Sequence, residues 1–436
     1  MSRDFLTELD TSAPPGSRAI LVGVELKGAS GAWTMQDSLD ELGRLAETAG
    51  LAVAGATTQK LARPDPRTWI GSGKVRELGE LAAASDVKYV LFDDELSPGQ
   101  QRKLETALGD GIRVIDRTRL ILDIFSQHAQ SREGMLQVEL AQYQYLLPRL
   151  AGMRAGLSQQ TGGAGVGLRG PGETQLELDR RQARRRIAVL KAGLEEVKVQ
   201  RRQHRSRRER SGPPVAALVG YTNAGKSSLL NAITGAGVLV QDKLFATLDP
   251  ITRRLALPGG REALLTDTVG FIRKIPHDLV AAFRATLEGI EEASLILHVV
   301  DSSHPHPAEQ IAAVDEVLAG LELSSTPRLL VWNKIDLLPG QDTLLLLAGR
   351  HELSLAVSAR TGKGVPELLA KIETILREGL VEVRVALPYD RYDLVKLVYE
   401  QGSVTTKEDG PEGVSLRALV PAALALMLEP FAAEDD

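Results

Sequence analysis

From Ala19 onward the chain alternates short apolar runs with stretches whose apolar residues fall three and four positions apart. Ala19–Leu26, Leu51–Thr58, Tyr89–Phe92 and Arg113–Ile115 are rich in Val, Ile, Leu and Ala and read as strands. Between them, Ser38–Glu47, Lys74–Ala84 and Pro98–Leu108 carry the helical spacing. The alternation predicts a small parallel or mixed α/β unit over 17–118. Within it, Ile70-Gly71-Ser72-Gly73-Lys74 opens a helix. Such glycines suit a phosphate cradle, because bare backbone lets N–H groups approach an anion, and they equally suit a plain strand-to-helix turn.

A helical stretch follows. Leu136, Leu140, Tyr143 and Leu147 are spaced 4, 3 and 4 apart, on one helix face, and Pro148 predicts an end or a kink near Leu147. Residues 151–172 hold 8 Gly in 22 and do not read as helix. A second helix is expected from about Glu173 to about Arg210, where Ser211-Gly212-Pro213-Pro214 stops it. Together these predict a helical hairpin over 119–212 with a glycine-rich tip. The second helix lacks the apolar surface to bury its C-terminal half, so it is expected to be exposed and positive. In the tip, Gly165-Val166-Gly167-Leu168-Arg169-Gly170 matches the dinucleotide fingerprint, but the polar run Ser158–Gly163 before it is not the strand that motif needs. An Arg-bearing tip that fits a confined RNA surface and a plain loop are the readings that remain.

Chemistry concentrates after the proline pair. The apolar run Val215–Val219 leads into Gly220-Tyr221-Thr222-Asn223-Ala224-Gly225-Lys226-Ser227-Ser228 and an apolar helix. This is G-x-x-x-x-G-K-S in a strand–loop–helix setting. Backbone N–H groups of such a loop wrap a β-phosphate, Lys226 neutralises β/γ oxygens, and the Ser227 hydroxyl is offered to Mg²⁺. At Leu265-Thr266-Asp267-Thr268-Val269-Gly270 a strand ends in D-x-x-G, placing Asp267 to hold Mg²⁺ through water and the Gly270 N–H at a γ-phosphate. Leu330–Trp332 ends in Asn333-Lys334-Ile335-Asp336, where a carboxylate accepts from guanine N1–H and N2–H₂ and rejects adenine. Val357-Ser358-Ala359-Arg360 closes a further strand whose backbone meets guanine O6. Four elements in this order, each at a strand's C-terminal edge, imply a GTPase domain with a doubly wound sheet over 213–380.

Between the first two elements, Leu244-Phe245-Ala246-Thr247-Leu248-Asp249-Pro250 reads as a switch loop. Thr247 is the candidate to complete Mg²⁺ coordination when GTP is bound, with Thr252 and Thr222 as alternatives. The candidate catalytic residues are therefore Lys226, Thr247 and Gly270, and the candidate metal ligands Ser227 and Thr247. The residue after Gly270 is Phe271, where many signalling GTPases place a water-orienting Gln. Slow intrinsic turnover and strong activation by a partner are expected. Asn223, two residues before Gly225, is either a ligand for K⁺ beside the phosphates or a structural Asn of the loop.

Composition narrows the partners. The 436 residues suit two to four domains. At 43% apolar and 25% charged, the composition is that of a folded chain. Zero Cys excludes disulfides, thiolate nucleophiles and Cys-held metals. Met1–Arg18 is polar and the late apolar run Ala418–Leu428 is interrupted by Pro421, so no signal peptide or membrane span is expected, and a cytoplasmic location is. The net charge of −5 conceals an asymmetry: residues 180–210 hold 13 Lys/Arg against 3 Asp/Glu, leaving the rest of the chain acidic. One basic rod on an acidic body points to a polyanionic partner. A small C-terminal unit over 381–436 begins with the alternating, strand-like Val381–Leu387 and is expected to serve docking or packing.

Beyond the generic GTPase motifs, the chain resembles the HflX-type GTPases over essentially its whole length. The matching runs are Ile70-Gly71-Ser72-Gly73-Lys74-Val75, Phe92-Asp93-Asp94-Glu95-Leu96-Ser97-Pro98, Gln137-Val138-Glu139-Leu140-Ala141-Gln142 and Gly170-Pro171-Gly172-Glu173-Thr174-Gln175-Leu176-Glu177, all outside the GTPase domain. The resemblance implies binding to the large ribosomal subunit and its RNA, with the N-terminal unit and hairpin near the peptidyl-transferase region, and separation of stalled or idle ribosomes into subunits. The rival reading is a ribosome-assembly or RNA-binding factor in which GTP only times attachment. ATP binding is associated with the family's N-terminal unit, but no residues here read as adenine-specific.

Overall fold

The computed structural model describes residues 14, 16–28, 33–109, 111–150, 171–209, 213–235, 244–274, 290, 293–321, 323, 326–338, 353–378 and 380–433. Residues 151–170 of the glycine-rich tip, with the G-x-G-x-x-G, lie outside the described residues, while Pro171 and Gly172, expected in the tip, already belong to the following helix. The chain divides into two compact units. One comprises 1–195 with 242–248 and 273–283; the other comprises 196–241, 249–272 and 284–436.

The first unit is built on a four-stranded, wholly parallel sheet in the order β2-β1-β3-β4, from β1 (Arg18–Leu26), β2 (Ala52–Leu61), β3 (Tyr89–Phe92) and β4 (Arg113–Asp116). The strands fall where the apolar runs place them. β3 is buried at every position, as expected of a strand covered on both faces. The connecting helices are α1 (Met35–Thr48), α2 (Ser72–Ala84) and α3 (Pro98–Leu108). Thr34 and Asp37 form a capping box at α1, and Ser97 and Gln100 form another at α3, satisfying N–H groups that helix starts leave open. Gly71 precedes α2 without a side-chain cap; its own N–H donates to Gln59 Oε1 at 2.9 Å.

Next come α4 (Arg117–His128) and α5 (Arg132–Leu146), two helices joined by three residues, and then the long α6 (Pro171–Glu209). The periodicity did not announce α4, because its polar residues face inward. Arg117 and Asp123 are buried there and ion-paired to Asp93 and Arg119. The second helix of the expected hairpin is α6, and its N-terminal part carries an apolar seam. Leu176, Ala183 and Leu190 recur every seven residues, Ile187 lies between the last two and Leu194 follows, and this seam packs on Leu140 and Tyr143 of α5. Arg186 adds a bidentate pair to Glu139, at 2.5 and 2.8 Å. Arg181, Arg184, Arg185 and Lys191 remain exposed.

The second unit contains a six-stranded sheet in the order β10-β9-β8-β5-β7-β6. Its strands are β5 (Val215–Gly220), β6 (Ile251–Ala256), β7 (Glu262–Asp267), β8 (Leu295–Asp301), β9 (Arg328–Asn333) and β10 (Ser354–Ala356), all parallel except the β6–β7 pair. With α7 (Lys226–Thr234), α8 (Pro307–Ala319) and α9 (Val365–Glu378) the sheet is doubly wound. Leu297 and Val299 of β8 pack with Leu229 of α7 and Leu368 of α9. Val300 points the other way, into a cluster that Ile311 of α8 joins. The C-terminal sheet is antiparallel, β11-β13-β12, from β11 (Leu380–Pro388), β12 (Ser403–Asp409) and β13 (Gly413–Pro421). It packs with α10 (Tyr392–Gln401) and α11 (Ala422–Leu428) around Leu387, Leu394, Val398, Leu416 and Leu424. The apolar run 418–428 thus divides after Pro421, its start in a strand and its remainder in a helix. Among the described residues no helix is long and apolar enough to cross a membrane.

Candidate nucleotide site

The loop after β5 turns tightly because two residues adopt left-handed backbone, Asn223 at φ 60° and Gly225 at φ 90°. A side chain at Gly225 would run into Asn333 Nδ2, so glycine is required there both for conformation and for space. Asn333 fixes the loop from the end of β9: its Nδ2 donates to the Ala224 carbonyl at 2.9 Å. Its Oδ1 accepts from the Ala359 N–H at 3.0 Å, tying the loop after β10 to the same point.

Lys226 begins α7 and is 6% exposed. Its Nζ donates to the carbonyls of Gly220 and Tyr221, at 3.1 and 3.0 Å, closing the loop on itself. Burial lowers its pKa to about 8, against the opposing pull of Asp267. Next to it the Ser227 hydroxyl donates to Asp267 Oδ2 at 2.6 Å. Asp267 ends β7 and is fully buried. Thr268 is buried and donates to the Leu218 carbonyl at 2.7 Å. Gly270 packs directly on Thr222, leaving no room for a side chain unless the loop shifts. Phe271 pairs with the loop through its backbone: its N–H donates to Gly220 O at 3.1 Å and its carbonyl accepts from Thr222 N–H at 2.7 Å. Its side chain is buried.

At the far side of the site, Asp336 is exposed and receives the Ser358 hydroxyl on Oδ1 at 2.7 Å, which orients the carboxylate. Ile335 and Val269 are buried, Ala359 is half-buried and Arg360 exposed. Lys334 has left-handed backbone and reaches Asp301 Oδ2 at 2.6 Å. Asp301 and its neighbour Ser302, whose hydroxyl donates to the Asn333 carbonyl at 2.6 Å, were not among the residues singled out from sequence. The signal available was the position of Asp301 at the C-terminal end of an apolar strand lying between D-x-x-G and N-K-x-D.

The second unit thus brings together residues 220–228, 267–270, 333–336 and 358–360, and it also contains Asp249. Phe245, Ala246, Thr247 and Leu248 are grouped with the first unit, where Phe245 stacks edge-on against Phe125 at 4.7 Å and the Leu244 N–H reaches Thr48 Oγ1 at 3.4 Å. Thr252, one alternative to Thr247, bonds Thr266 across the β6–β7 ladder at 2.9 Å and so has a structural partner. Chemically, the site offers one buried ammonium, a tight loop of N–H groups and a hydroxyl–carboxylate pair of hard oxygens. Polyphosphates and small divalent cations take donors of this kind.

Family models match the chain in four segments between residues 36 and 429. Residues 36–126 match the N-terminal domain of GTP-binding GTPases, and 128–208 match their middle region. Residues 215–334 match the 50S ribosome-binding GTPase family and 343–429 the HflX C-terminal domain. GTPase HflX of Caldanaerobacter subterraneus subsp. tengcongensis is 46% identical, over 91% of this chain and 90% of that protein. GTPase HflX of Escherichia coli K12 is 42% identical, over 93% and 94%. Among solved structures, a GTP-binding protein from Sulfolobus solfataricus in complex with GDP is 25% identical, with a TM-score of 0.44, over 82% of this chain and 98% of that one. With relatives this similar over nine-tenths of its length, the chain belongs to the HflX family and is a P-loop GTP hydrolase.

Proposed function

We propose that the protein binds GTP at the C-terminal edge of its six-stranded sheet, hydrolyses it in association with the large ribosomal subunit, and separates stalled or idle ribosomes into subunits. The observation that carries the nucleotide half is the double hold of Asn333 on Ala224 and Ala359, which joins the phosphate loop and the base-binding loop into one rigid frame. In this reading N–H groups within 223–228, beyond the Thr222 N–H that Phe271 holds, and the Lys226 ammonium take the phosphates, and the Gly270 N–H contacts the γ-phosphate. Asp336, aimed by Ser358, pairs with guanine, while Ala359 and Arg360 line the base. Thr247, with Phe245, Ala246, Leu248 and Asp249 around it, acts as the switch.

The residues present fit Mg²⁺. The Ser227 hydroxyl and the buried Asp267 carboxylate are hard oxygen donors held within 2.6 Å of each other. Ser227 would ligate the ion directly, Asp267 would hold it through water, and Thr247 would join them in the GTP form. When bound, the ion neutralises charge on the β- and γ-phosphate oxygens. The Asn223 side chain, on left-handed backbone within the loop, is the proposed K⁺ ligand.

The exposed face of α6 supports the ribosomal half. Its seam turns inward onto α5, which leaves Arg181, Arg184, Arg185 and Lys191 outward, as a helix meeting RNA phosphates requires. The test is GTP turnover with and without purified large subunits, in K⁺ and in Na⁺, alongside light scattering of intact ribosomes. Strong stimulation with loss of scattering supports the proposal. Stimulation without subunit separation favours a factor in which GTP only times attachment. No stimulation and no binding overturns the ribosomal reading.

A further inference from the structure

Residue 271 follows D-x-x-G, where a side chain that orients the attacking water is ordinarily sought. Here it is Phe271, 3% exposed and fastened to the phosphate loop through both backbone groups, so neither its chemistry nor its placement serves a water. The same fastening presses Thr222 against Gly270. A methyl group built on Gly270 would lie 2.9 Å from Thr222 Cα, 2.9 Å from Thr222 Cγ2 and 3.1 Å from Lys226 Nζ. The Thr222 side chain and the Lys226 ammonium therefore flank one point beside Gly270.

Thr222 is 6% exposed, and its hydroxyl oxygen is shielded from solvent with no hydrogen-bond partner among the described residues. Buried polar atoms are nearly always paired, and one that is not calls for a ligand or a function to explain it. Valine has the same shape and would fill this place without burying a hydroxyl. Threonine is held in staggered side-chain positions, and one χ1 step exchanges Cγ2 for Oγ1. That step brings the hydroxyl to the point that Gly270 and Lys226 share.

We infer that the Thr222 hydroxyl holds the attacking water at the γ-phosphate, in place of the side chain that Phe271 does not supply; this rests on the GTP site proposed above. The water oxygen bonds to the γ-phosphorus as the bond from that phosphorus to the β–γ bridging oxygen breaks. Both water protons leave on the released phosphate, GDP departs with the bridging oxygen, and the hydroxyl ends unchanged.

The test uses the full chain with Thr222→Val and Thr222→Ser. It measures single-turnover GTP hydrolysis, affinity for fluorescent GDP and a non-hydrolysable GTP analogue, capture of fluoroaluminate with GDP, and the melting temperature without nucleotide. Thr222→Val is expected to slow hydrolysis by roughly 10²-fold, the scale of losing one positioned hydrogen-bonding group at a reacting centre. It should also fail to capture fluoroaluminate, leave nucleotide affinity little changed, and melt no lower than the parent. Thr222→Ser should retain hydrolysis. A Thr222→Val protein that hydrolyses GTP like its parent overturns the inference alone. So does one that melts lower and binds GDP poorly, since the hydroxyl would then be structural. A parent chain that binds no GTP overturns the underlying site, and the inference with it.

Discussion

The Ser227 hydroxyl donates to Asp267 Oδ2 at 2.6 Å, between the helix that follows β5 and the end of neighbouring β7. The register sets Leu218 of β5 opposite Asp267, so the carboxylate sits two residues below the top of the central strand and close under the loop. Replacing Ser227 with Ala removes the member of this pair proposed to ligate Mg²⁺ directly. A hydrogen-bonding or ligating group on a charged partner contributes about 1.5–3 kcal/mol, which is roughly 10–150-fold in affinity. Titrating fluorescent GTP with and without Mg²⁺ should show that the variant loses most of the gain that Mg²⁺ gives the parent.

Asn333 is buried, and both ends of its amide are used within the frame. Asn333→Ala leaves the Ala224 carbonyl and the Ala359 N–H without that partner, at a cost of about 1–3 kcal/mol each where they stay dry. GDP and GTP affinity should fall together, because the phosphate loop and the base loop loosen at once. Asp336 acts further out, and there the expected change is one of selectivity. Asp336→Asn should weaken guanine binding and favour xanthine nucleotides, whose O2 accepts where guanine N2 donates. Competition between GTP and XTP reads the difference.

Lys226 gives a pH dependence of definite sign. Burial lowers its pKa to about 8 from 10.5, so between those values the unfolded chain holds a proton that the folded, nucleotide-free protein has released. This residue's penalty on stability is therefore full below pH 8 and is relieved as pH rises toward 10.5. Bound phosphates favour the charged form and reverse the shift. Nucleotide binding above pH 8 should take up a proton, and affinity should fall with pH there. Calorimetry in buffers of different ionisation enthalpy measures the uptake, and Lys226→Met should abolish it.

Much of this was legible because strand, turn and loop chemistry agree locally. The residues 19–26, 89–92 and 113–115 lie within observed strands, as their Val-, Ile- and Leu-rich composition requires. β6 was not legible: Thr252, Arg253 and Arg254 are polar and exposed on an edge strand, and only the ladder with β7 makes Ile251–Ala256 a strand. The phosphate loop shows in sequence because glycine spacing is a backbone requirement. Asp301 and Ser302 do not, because their importance lies in bonds to Lys334 and to the Asn333 carbonyl, some thirty residues on. The seam of α6 shows only once the seven-residue recurrence is separated from the arginines around it.

Arg117, 2% exposed, donates to Asp93 Oδ1 at 2.8 Å and also pairs with Glu41, while Asp93 accepts from Ser38 at 3.0 Å and pairs with Lys274. Burial would raise the Asp93 pKa, but Arg117 and Lys274 outweigh it and hold the carboxyl below its ordinary range. The stabilisation is thus present at neutral pH and lost as pH falls through that lowered value. Asp93→Ala leaves Arg117 buried with one carboxylate fewer, and breaking such a pair costs about 3–5 kcal/mol. Denaturant unfolding of the full chain at neutral pH should show a loss of that order.

The outward arginines of α6 make a prediction about salt. If Arg181, Arg184 and Arg185 meet RNA phosphates, each releases counterions, and log affinity for the large subunit falls linearly with log salt. Alanine at all three should weaken binding at low salt and reduce the steepness of that line by about 1 for each phosphate contact removed. Ala183 and Leu190 of the same helix face α5, so substitutions there should lower stability and leave the slope unchanged. Arg186 discriminates between the two effects. It is paired with Glu139, so Arg186→Ala should change the salt slope less than any of its three outward neighbours. An equal change at Arg186 would mean that charge alone, without placement on the helix face, governs binding.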